Sequence, residues 1–449
     1  MDPEKGTADP VDADAAPASV RDGHETDRSS DGGLPPPTRT KAGGERPGAD
    51  GRDAWVTVAA SSLTMFVYLG VVYSWGVMQV RLVETTGSGL TTLTLVGSLA
   101  TSFMVCFSVV SDRIVRRVGY RLAALAGGAF MGLGEVLASF ATRHVVALFF
   151  LHGLVFGLGG GLCVFSVSTA PMSLFKRHKA LAMGFVFGGG SLGSAVMSVA
   201  TNYLVRGLDV AWTFRILGFV LWGVSIPASY FLPPRTVSGN KVSRQLQWYR
   251  FKQPRFLLLV GGTILACFPL FIPPYFIPVF SRSMGYSREV GIATLAAWNL
   301  ASTLGRVAAG WAADALLGPV ESLAACMLLM GLSSLVVWPL SSSIGAFAVY
   351  LVVNGVGCGA FFSLTPVAVG AAFGPENTLG IIPVIWTTWF CGFFFGTPIA
   401  SGIYSLSGGA GGLDNFRPAA YYAGAMAMAG FACVLAMRLT RTHEVTARV

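Results

Sequence analysis

The chain has 449 residues, of which 53% are hydrophobic and only 12% are charged, whereas soluble proteins average about 25% charged residues. The formal net charge is +9, but residues 1–54 carry −5 (7 basic, 12 acidic) and residues 55–449 carry +14 (24 basic, 10 acidic). This apolar, basic body excludes an ordinary soluble enzyme and a nucleic-acid binder, and it predicts an all-α integral membrane protein in a lipid bilayer.

The first 54 residues differ in composition from the rest of the chain. They are rich in Asp, Gly, Pro, Ala and Ser, and Leu34 is their only Leu, Ile or Phe. Such a segment buries too little apolar surface to offset the entropy of ordering it, so it is predicted to be a disordered cytoplasmic tail. No apolar h-region follows Met1, so the first membrane segment is expected to act as the targeting signal.

The body contains twelve apolar runs of about 20 residues, the length at which a helix crosses a bilayer. The first six cover 55–78, 91–110, 122–141, 145–167, 180–204 and 212–232. The next six cover 256–280, 291–312, 322–340, 344–367, 379–401 and 419–437. A polar cytoplasmic linker, 233–255, separates the two halves, and a cytoplasmic tail, 438–449, follows them. Two parallel six-helix halves are the organisation of the major facilitator fold.

A weak internal repeat agrees with two duplicated halves. Ser108-x-x-x-Asp112 follows the second run, and Gly310-x-x-x-Asp314 follows the eighth, 202 residues later. Because the two motifs occupy equivalent places in each half, they predict a shared ancestry and a shared position at one face of the membrane.

The basic residues of the loops predict the orientation. The loops after runs 2, 4 and 6 carry 4, 3 and 6 Lys or Arg residues, against six in all the loops of the opposite side. Positive charge marks cytoplasmic loops, so both termini and the linker are expected in the cytoplasm. We expect a multi-pass protein of the plasma membrane.

Four ionisable residues lie within the runs, where a charge at membrane depth is costly. Arg215 lies near the outer end of its run and is expected to extend to the surface, whereas the other three are functional candidates. Glu135 is expected to extend to the membrane surface, pair with a basic residue or carry a proton. His152 is expected either to bond a helix carbonyl as a neutral ring or to exchange protons. Arg306 is expected to extend to the surface, reach Asp314, or face a central cavity as a fixed cation suited to gripping a carboxylate.

The seventh run contains four prolines, which cannot all sit in one straight helix without loss of hydrogen bonds. The alternatives are a kinked helix and a broken helix that lines the transport cavity. We favour the broken helix, with Tyr275 exposed to substrate. The prolines are Pro269, Pro273, Pro274 and Pro278.

Two segments resemble the signatures of the monocarboxylate transporter family. Residues 50–55 read Asp-Gly-Arg-Asp-Ala-Trp and match four of six positions of D-G-[GS]-[WF]-[GA]-W, departing at Arg52 and Asp53. Residues 175–184 read Phe-Lys-Arg-His-Lys-Ala-Leu-Ala-Met-Gly and look like F-x-K-[RK]-[RL]-x-L-A-x-G. The eighth run is similar to the fungal branch of that family. The resemblance covers about residues 50–440 and implies a transporter of the major facilitator superfamily.

The resemblance also implies site residues. In well-studied members, small monocarboxylates move with a proton, and the Arg of run 8 pairs with an Asp four residues earlier. Arg306 matches that Arg and Tyr73 matches a Tyr of run 1, but the Asp position holds Ser302 and a Lys position in run 1 holds Val77. The substitutions argue against proton symport of the lactate type.

The loop after run 2 resembles the superfamily's D-R-x-G-R-type motif. Asp112, Arg113, Arg117 and the equivalent Asp314 are predicted to latch the closed cytoplasmic side, because a carboxylate at a helix end can hold a basic loop.

Our leading hypothesis is a carrier of a small organic anion that works by alternating access. Arg306 would hold the anion, with Tyr73, Asn299, Ser302, Tyr275 and His152 around the cavity, and Glu135 as a proton site. The alternatives are an exporter of a secondary-metabolite pathway product and, more weakly, a non-transporting nutrient sensor. No run carries a nucleophile–base pair, a metal-ligand spacing or a P-loop motif, so we expect neither enzymatic activity nor a cofactor.

Overall fold

The structure, a computed structural model, describes residues 51–234, 252–408 and 413–440. The predictions for the N-terminal tail up to residue 50, for 235–251 of the linker and for the last nine residues lie outside this range. Every regular element in the described residues is a helix. This confirms the predicted all-α class.

Helices α1 to α6 form the first set. They are α1 Arg52–Thr86, α2 in two parts (Leu90–Cys106 and Ser108–Val118), α3 Tyr120–Ala138, α4 Val145–Leu174, α5 Lys179–Gly207 and α6 Val210–Ser229. Helix α4 contains a π-helical stretch, Phe149–Phe156.

Helices α7 to α12 form the second set. They are α7 in two parts (Pro254–Cys267 and Ile272–Ser283), α8 Arg288–Ala312, α9 Pro319–Val337, α10 Ile344–Phe373, α11 in two parts (Pro375–Thr388 and Phe390–Leu406) and α12 Arg417–Leu439. A short π-helical stretch, Ala313–Leu317, follows α8.

Within the described residues, ten of these helices are long and apolar enough to cross a membrane, and the number is eleven if the two parts of α2, bent by 50°, count as one span. Helix α8 is the remaining expected span. Its 25 residues extend about 37 Å, which suffices for a bilayer. Its composition is less apolar because it contains Arg288, Glu289, Asn299 and Arg306.

Side-chain caps and glycine turns explain where several helices begin and end. Asp209 accepts a hydrogen bond from the backbone N–H of Trp212 at 2.7 Å and so caps the start of α6. Gly119 ends α2 with φ 88°, and Gly318 follows α8 with φ 92°. This left-handed backbone favours glycine, and its recurrence at equivalent places repeats the geometry of one half in the other.

Helix α5 joins the two sets, because it packs on α1 with one face and on α8 with another. A Cβ placed on Gly184 would lie 2.6 Å from the carbonyl oxygen of Arg306, and one on Gly310 would lie 2.5 Å from that of Ala180. Glycine at these positions lets the two backbones approach closely. We call this contact the α5–α8 seam. It fixes the position of Arg306 between the two sets of helices.

Candidate functional site

A cavity lies between the two sets of helices. Its wall is apolar and aromatic with a single charged side chain, and it comprises Met65, Leu69, Tyr73, Met104, Val105, Val164, Phe187, Phe271, Arg306, Phe362, Trp386 and Trp389. The cavity is narrow, with a volume of about 20 Å³, which is room for about one water molecule. Because pockets for drug-sized ligands span roughly 300–1,000 Å³, helices must separate before such a molecule can enter.

Arg306 supplies the charge of this wall. It is 2% exposed, its Nη1 donates to the carbonyl oxygen of Phe187 on α5, and its guanidinium carbon lies 5.6 Å from the ring centroid of Phe362. Its Nε has no hydrogen-bond partner, and no carboxylate pairs with it among the described residues. A buried guanidinium with free donors beside a cavity is suited to holding an anion.

Tyr73 lines the same cavity from α1 and contacts the second set of helices. Its ring centroid lies 5.9 Å from that of Phe271 and 6.5 Å from that of Trp298. Phe271 lies in the break of α7, between Cys267 and Ile272. The seventh run is therefore a broken helix, as the prolines predict, and the break delivers an aromatic side chain to the cavity.

Three other candidates are not part of this wall. The amide of Asn299 donates to the carbonyl of Leu295 at 3.1 Å, and the Ser302 hydroxyl lies 3.1 Å from that of Ser191 on α5. Tyr275, on the second part of α7, is half-buried against the core. Of the six predicted substrate contacts, only Tyr73 and Arg306 line the cavity wall.

His152 lies beside Glu135 instead. Its Nδ1 is 2.7 Å from Oε1 of Glu135, and the two side chains are 2% and 0% exposed. Since α3 ends and α4 begins near this point, the structure brings together two candidates that the sequence treated separately.

The predicted latch residues lie on other elements: Asp112 in the second part of α2 and Asp314 in the π-helical stretch after α8. Asp112 pairs with Arg116 one turn later on α2, whereas Arg113 and Arg117 are exposed. Asp314 accepts hydrogen bonds from the backbone N–H groups of Ala180 and Leu181, at 3.3 and 2.8 Å. The dipole of α5 favours a carboxylate at its start. Asp314 therefore ties the second set of helices to the first.

Sequence reasoning missed the aromatic wall. Phe187, Phe362, Trp386 and Trp389 lie in runs that are apolar on every face, so periodicity does not separate a cavity side from a lipid side. The spacing of Asp112 and Arg116, by contrast, is the i, i+4 spacing of a helical ion pair and was readable in advance.

A helical membrane bundle with a cavity between two sets of helices, and a buried charge in its wall, defines a transporter of small molecules. Residues 60–319, more than half of the chain, match the Major Facilitator Superfamily. The chain belongs to this superfamily.

Curated relatives and a solved structure agree with this assignment. The chain is 25% identical to the MFS-type transporter opdF of Penicillium oxalicum over 368 residues (80% of this chain, 85% of the relative). It is 23% identical to the aspyridones efflux protein apdF of Emericella nidulans over 333 residues (74% and 67%). The crystal structure of the transporter FucP in its outward conformation superposes with a TM-score of 0.63 at 11% identity (86% of this chain, 99% of FucP).

Proposed function

We propose that this protein exports a small, largely apolar product of a secondary-metabolite pathway across the fungal plasma membrane, with both termini in the cytoplasm. The observation that carries the proposal is the cavity wall, in which aromatic and methionine side chains surround one guanidinium. Flexible and aromatic walls suit planar apolar molecules, and the cation adds affinity for an acidic group. The name of the aspyridones efflux protein supports export as the direction.

Arg306 is proposed as the anion partner and Tyr73 as a stacking or hydrogen-bonding partner. The guanidinium already lies beside Phe362, so a planar acid would occupy a place between an aromatic face and a bidentate donor. Ser302 would act from behind this wall, holding α8 against α5 through its contact with Ser191.

A transporter of small monocarboxylates, the subfamily that the sequence resembles, is the second candidate function. Arg306 and Tyr73 favour it, whereas Ser302 and Val77 replace the charged partners of that subfamily. Such a substrate would need less of the aromatic wall, so size preference separates the two candidates.

The experiment is transport of matched acid and amide probes by the purified full-length protein in proteoliposomes. Naphthoate and naphthamide test the aromatic product, and lactate and lactamide test the small monocarboxylate. We expect naphthoate to move faster than naphthamide in the wild type, and Arg306→Ala to abolish this preference while Arg306→Lys keeps part of it.

Arg215→Ala is the matched control, because Arg215 is the other arginine within the runs but lies against Phe140 and Trp212, remote from the cavity wall. Transport of lactate but not naphthoate would favour the second candidate. Equal movement of acids and amides, unchanged in Arg306→Ala, would contradict the role of Arg306.

A further inference from the structure

The first set of helices contains a buried carboxylate–imidazole pair that the cavity does not use. Glu135 on α3 and His152 on α4 are 2.7 Å apart between Oε1 and Nδ1, and the carboxylate is 0% exposed. The second carboxylate oxygen, Oε2, is buried without a hydrogen-bond partner. The pair therefore has one shared hydrogen bond and one unsatisfied acceptor in an apolar environment.

Aromatic rings surround the imidazole of the pair. The imidazole stacks on Trp75 at 4.2 Å with planes 17° apart, and on Phe156 at 5.0 Å with planes 8° apart. Phe214 of α6 meets its edge at 6.2 Å. His152 also lies in the π-helical stretch of α4, a departure from regular helix that is frequent at functional sites.

Few other ionisable groups face the pair. Helix α1 presents Trp75 and, beyond Phe156, the phenol of Tyr68, whereas α2 carries no charged residue in Leu90–Cys106. Helix α6 presents Phe214 and Arg215, whose Nε donates to Ser139 at 3.2 Å. The proton balance of the site is therefore set mainly by Glu135 and His152.

The low polarity of the site fixes how many protons it holds. With one proton the pair is neutral overall, either as carboxylic acid and imidazole or as carboxylate and imidazolium. Loss of that proton leaves a net negative charge, and gain of a second leaves a net positive charge, both costly away from water. While the site is closed, one proton is the favoured content, and exchange requires contact with water.

We propose that Glu135 and His152 form a proton-carrying site of the transport cycle. The pair holds one proton while it is enclosed and exchanges it when the end of the bundle between α3 and α4 opens. Helix α1 links this site to the cavity, because Tyr73 lines the cavity and Trp75, about 200° further around the helix, stacks on His152. The role of this pair in a transport cycle rests on the proposed function, whereas its binding of a proton does not.

The test is a pH titration of the full-length protein in lipid nanodiscs, with isotope-labelled histidine for NMR and infrared detection of the carboxyl band. The chain has five histidines, so the His152 signal can be assigned by its loss in His152→Gln. In the wild type we expect a pH-dependent His152 signal, together with a carboxyl band that Glu135→Gln removes.

Glu135→Gln should alter or abolish the pH-dependent His152 signal, because the imidazole loses its carboxylate partner. His144→Gln, at the exposed start of α4, should leave the step unchanged. A wild-type His152 that keeps one protonation state, with no pH-dependent carboxyl band lost in Glu135→Gln, would show that the pair only holds α3 and α4 together.

Proteoliposomes then test the coupling with naphthoate as the probe. Glu135→Gln should lose accumulation driven by a pH gradient but keep exchange of naphthoate for naphthoate. Unaltered gradient-driven accumulation would overturn the coupling even if the titration succeeds. If the wild type moves no naphthoate, the proposed function fails, and the nanodisc titration still decides whether the pair binds a proton.

Discussion

The molecule contains two buried ionisable sites that differ in how their charge is balanced. Arg306 lies in the cavity wall between the two sets of helices and has no carboxylate partner in the described part of the chain. Glu135 and His152 lie on the other side of α1 and balance each other at 2.7 Å. Both sites are buried, but only the first leaves donors free beside a cavity.

This difference separates two roles. An unpaired guanidinium cannot give up its proton, so it waits for an anion and is suited to binding. A carboxylate–imidazole pair balances its own charge and can change its proton content without a large ligand. Substitutions at the two sites should therefore differ in their effects on stability and on transport.

The largest effect is expected from breaking the pair. His152→Phe keeps an aromatic ring between Trp75 and Phe156 but leaves the Glu135 carboxylate buried without a partner. Removing one member of a buried pair typically costs about 3–5 kcal/mol. The free energy of unfolding in mixed SDS micelles measures this loss.

The double variant Glu135→Leu and His152→Phe is the control for this prediction. Replacing both members with apolar residues should recover most of the stability, since no charge then remains buried at this site. A double variant as unstable as the single one would mean that the pair stabilises the fold in its own right.

Arg306→Met should behave in the opposite way. The substitution removes an unpaired buried charge and keeps a long apolar side chain beside Phe362, so unfolding should cost as much as in the wild type or more. Naphthoate transport should fall about 10- to 100-fold, because hydrogen bonds to charged groups contribute about 1.5–3 kcal/mol. A loss of stability with unchanged transport would reverse the roles assigned to the two sites.

The sequence predicts most of the fold because lipid demands long apolar helices. The run 180–204 corresponds to Lys179–Gly207 and the run 291–312 to Arg288–Ala312. It does not predict the bend of α2 at Phe107 or the π-helical stretch of α4, which depend on how neighbouring helices pack. The predicted halves and their boundaries stay a proposal.

The site is predicted less completely. Arg306 is recognisable because a charge at membrane depth is rare, and its place in the cavity wall agrees with one of the alternatives. The contact between Glu135 and His152 is not recognisable, since the two are 17 residues apart on different helices whose rotation the sequence leaves open. For the same reason the sequence grouped His152 with the cavity residues.

A smaller effect is expected at the α5–α8 seam, which holds Arg306 in place. Asp314→Asn keeps one acceptor for the N–H groups of Ala180 and Leu181 but removes the charge that favours the start of α5. The loss should be about 1 kcal/mol, within the range of helix-cap substitutions. Spin labels on Arg177 and Leu317 should then report a broader range of distances across the seam.

Glu321→Gln is the matched control, because Glu321 pairs with Arg438 at 2.8 Å inside the second set of helices. Its substitution should leave the distance across the seam unchanged. An equal broadening in both variants would mean that Asp314 acts only on local stability and does not hold the two sets together.

The smallest effect is expected at the other end of the same seam. Arg206 and Glu289 are 3.1 Å apart, but their side chains are 38% and 67% exposed. Water and salt screen such a pair, so Arg206→Ala should leave naphthoate transport and the unfolding midpoint unchanged within error. The charge-reversed double variant, Arg206→Glu with Glu289→Arg, should behave alike. A clear loss in Arg206→Ala that the reversed pair restores would show that charge acts at the exposed end of the seam as well, and burial alone would no longer explain why Arg306 and the Glu135–His152 pair matter.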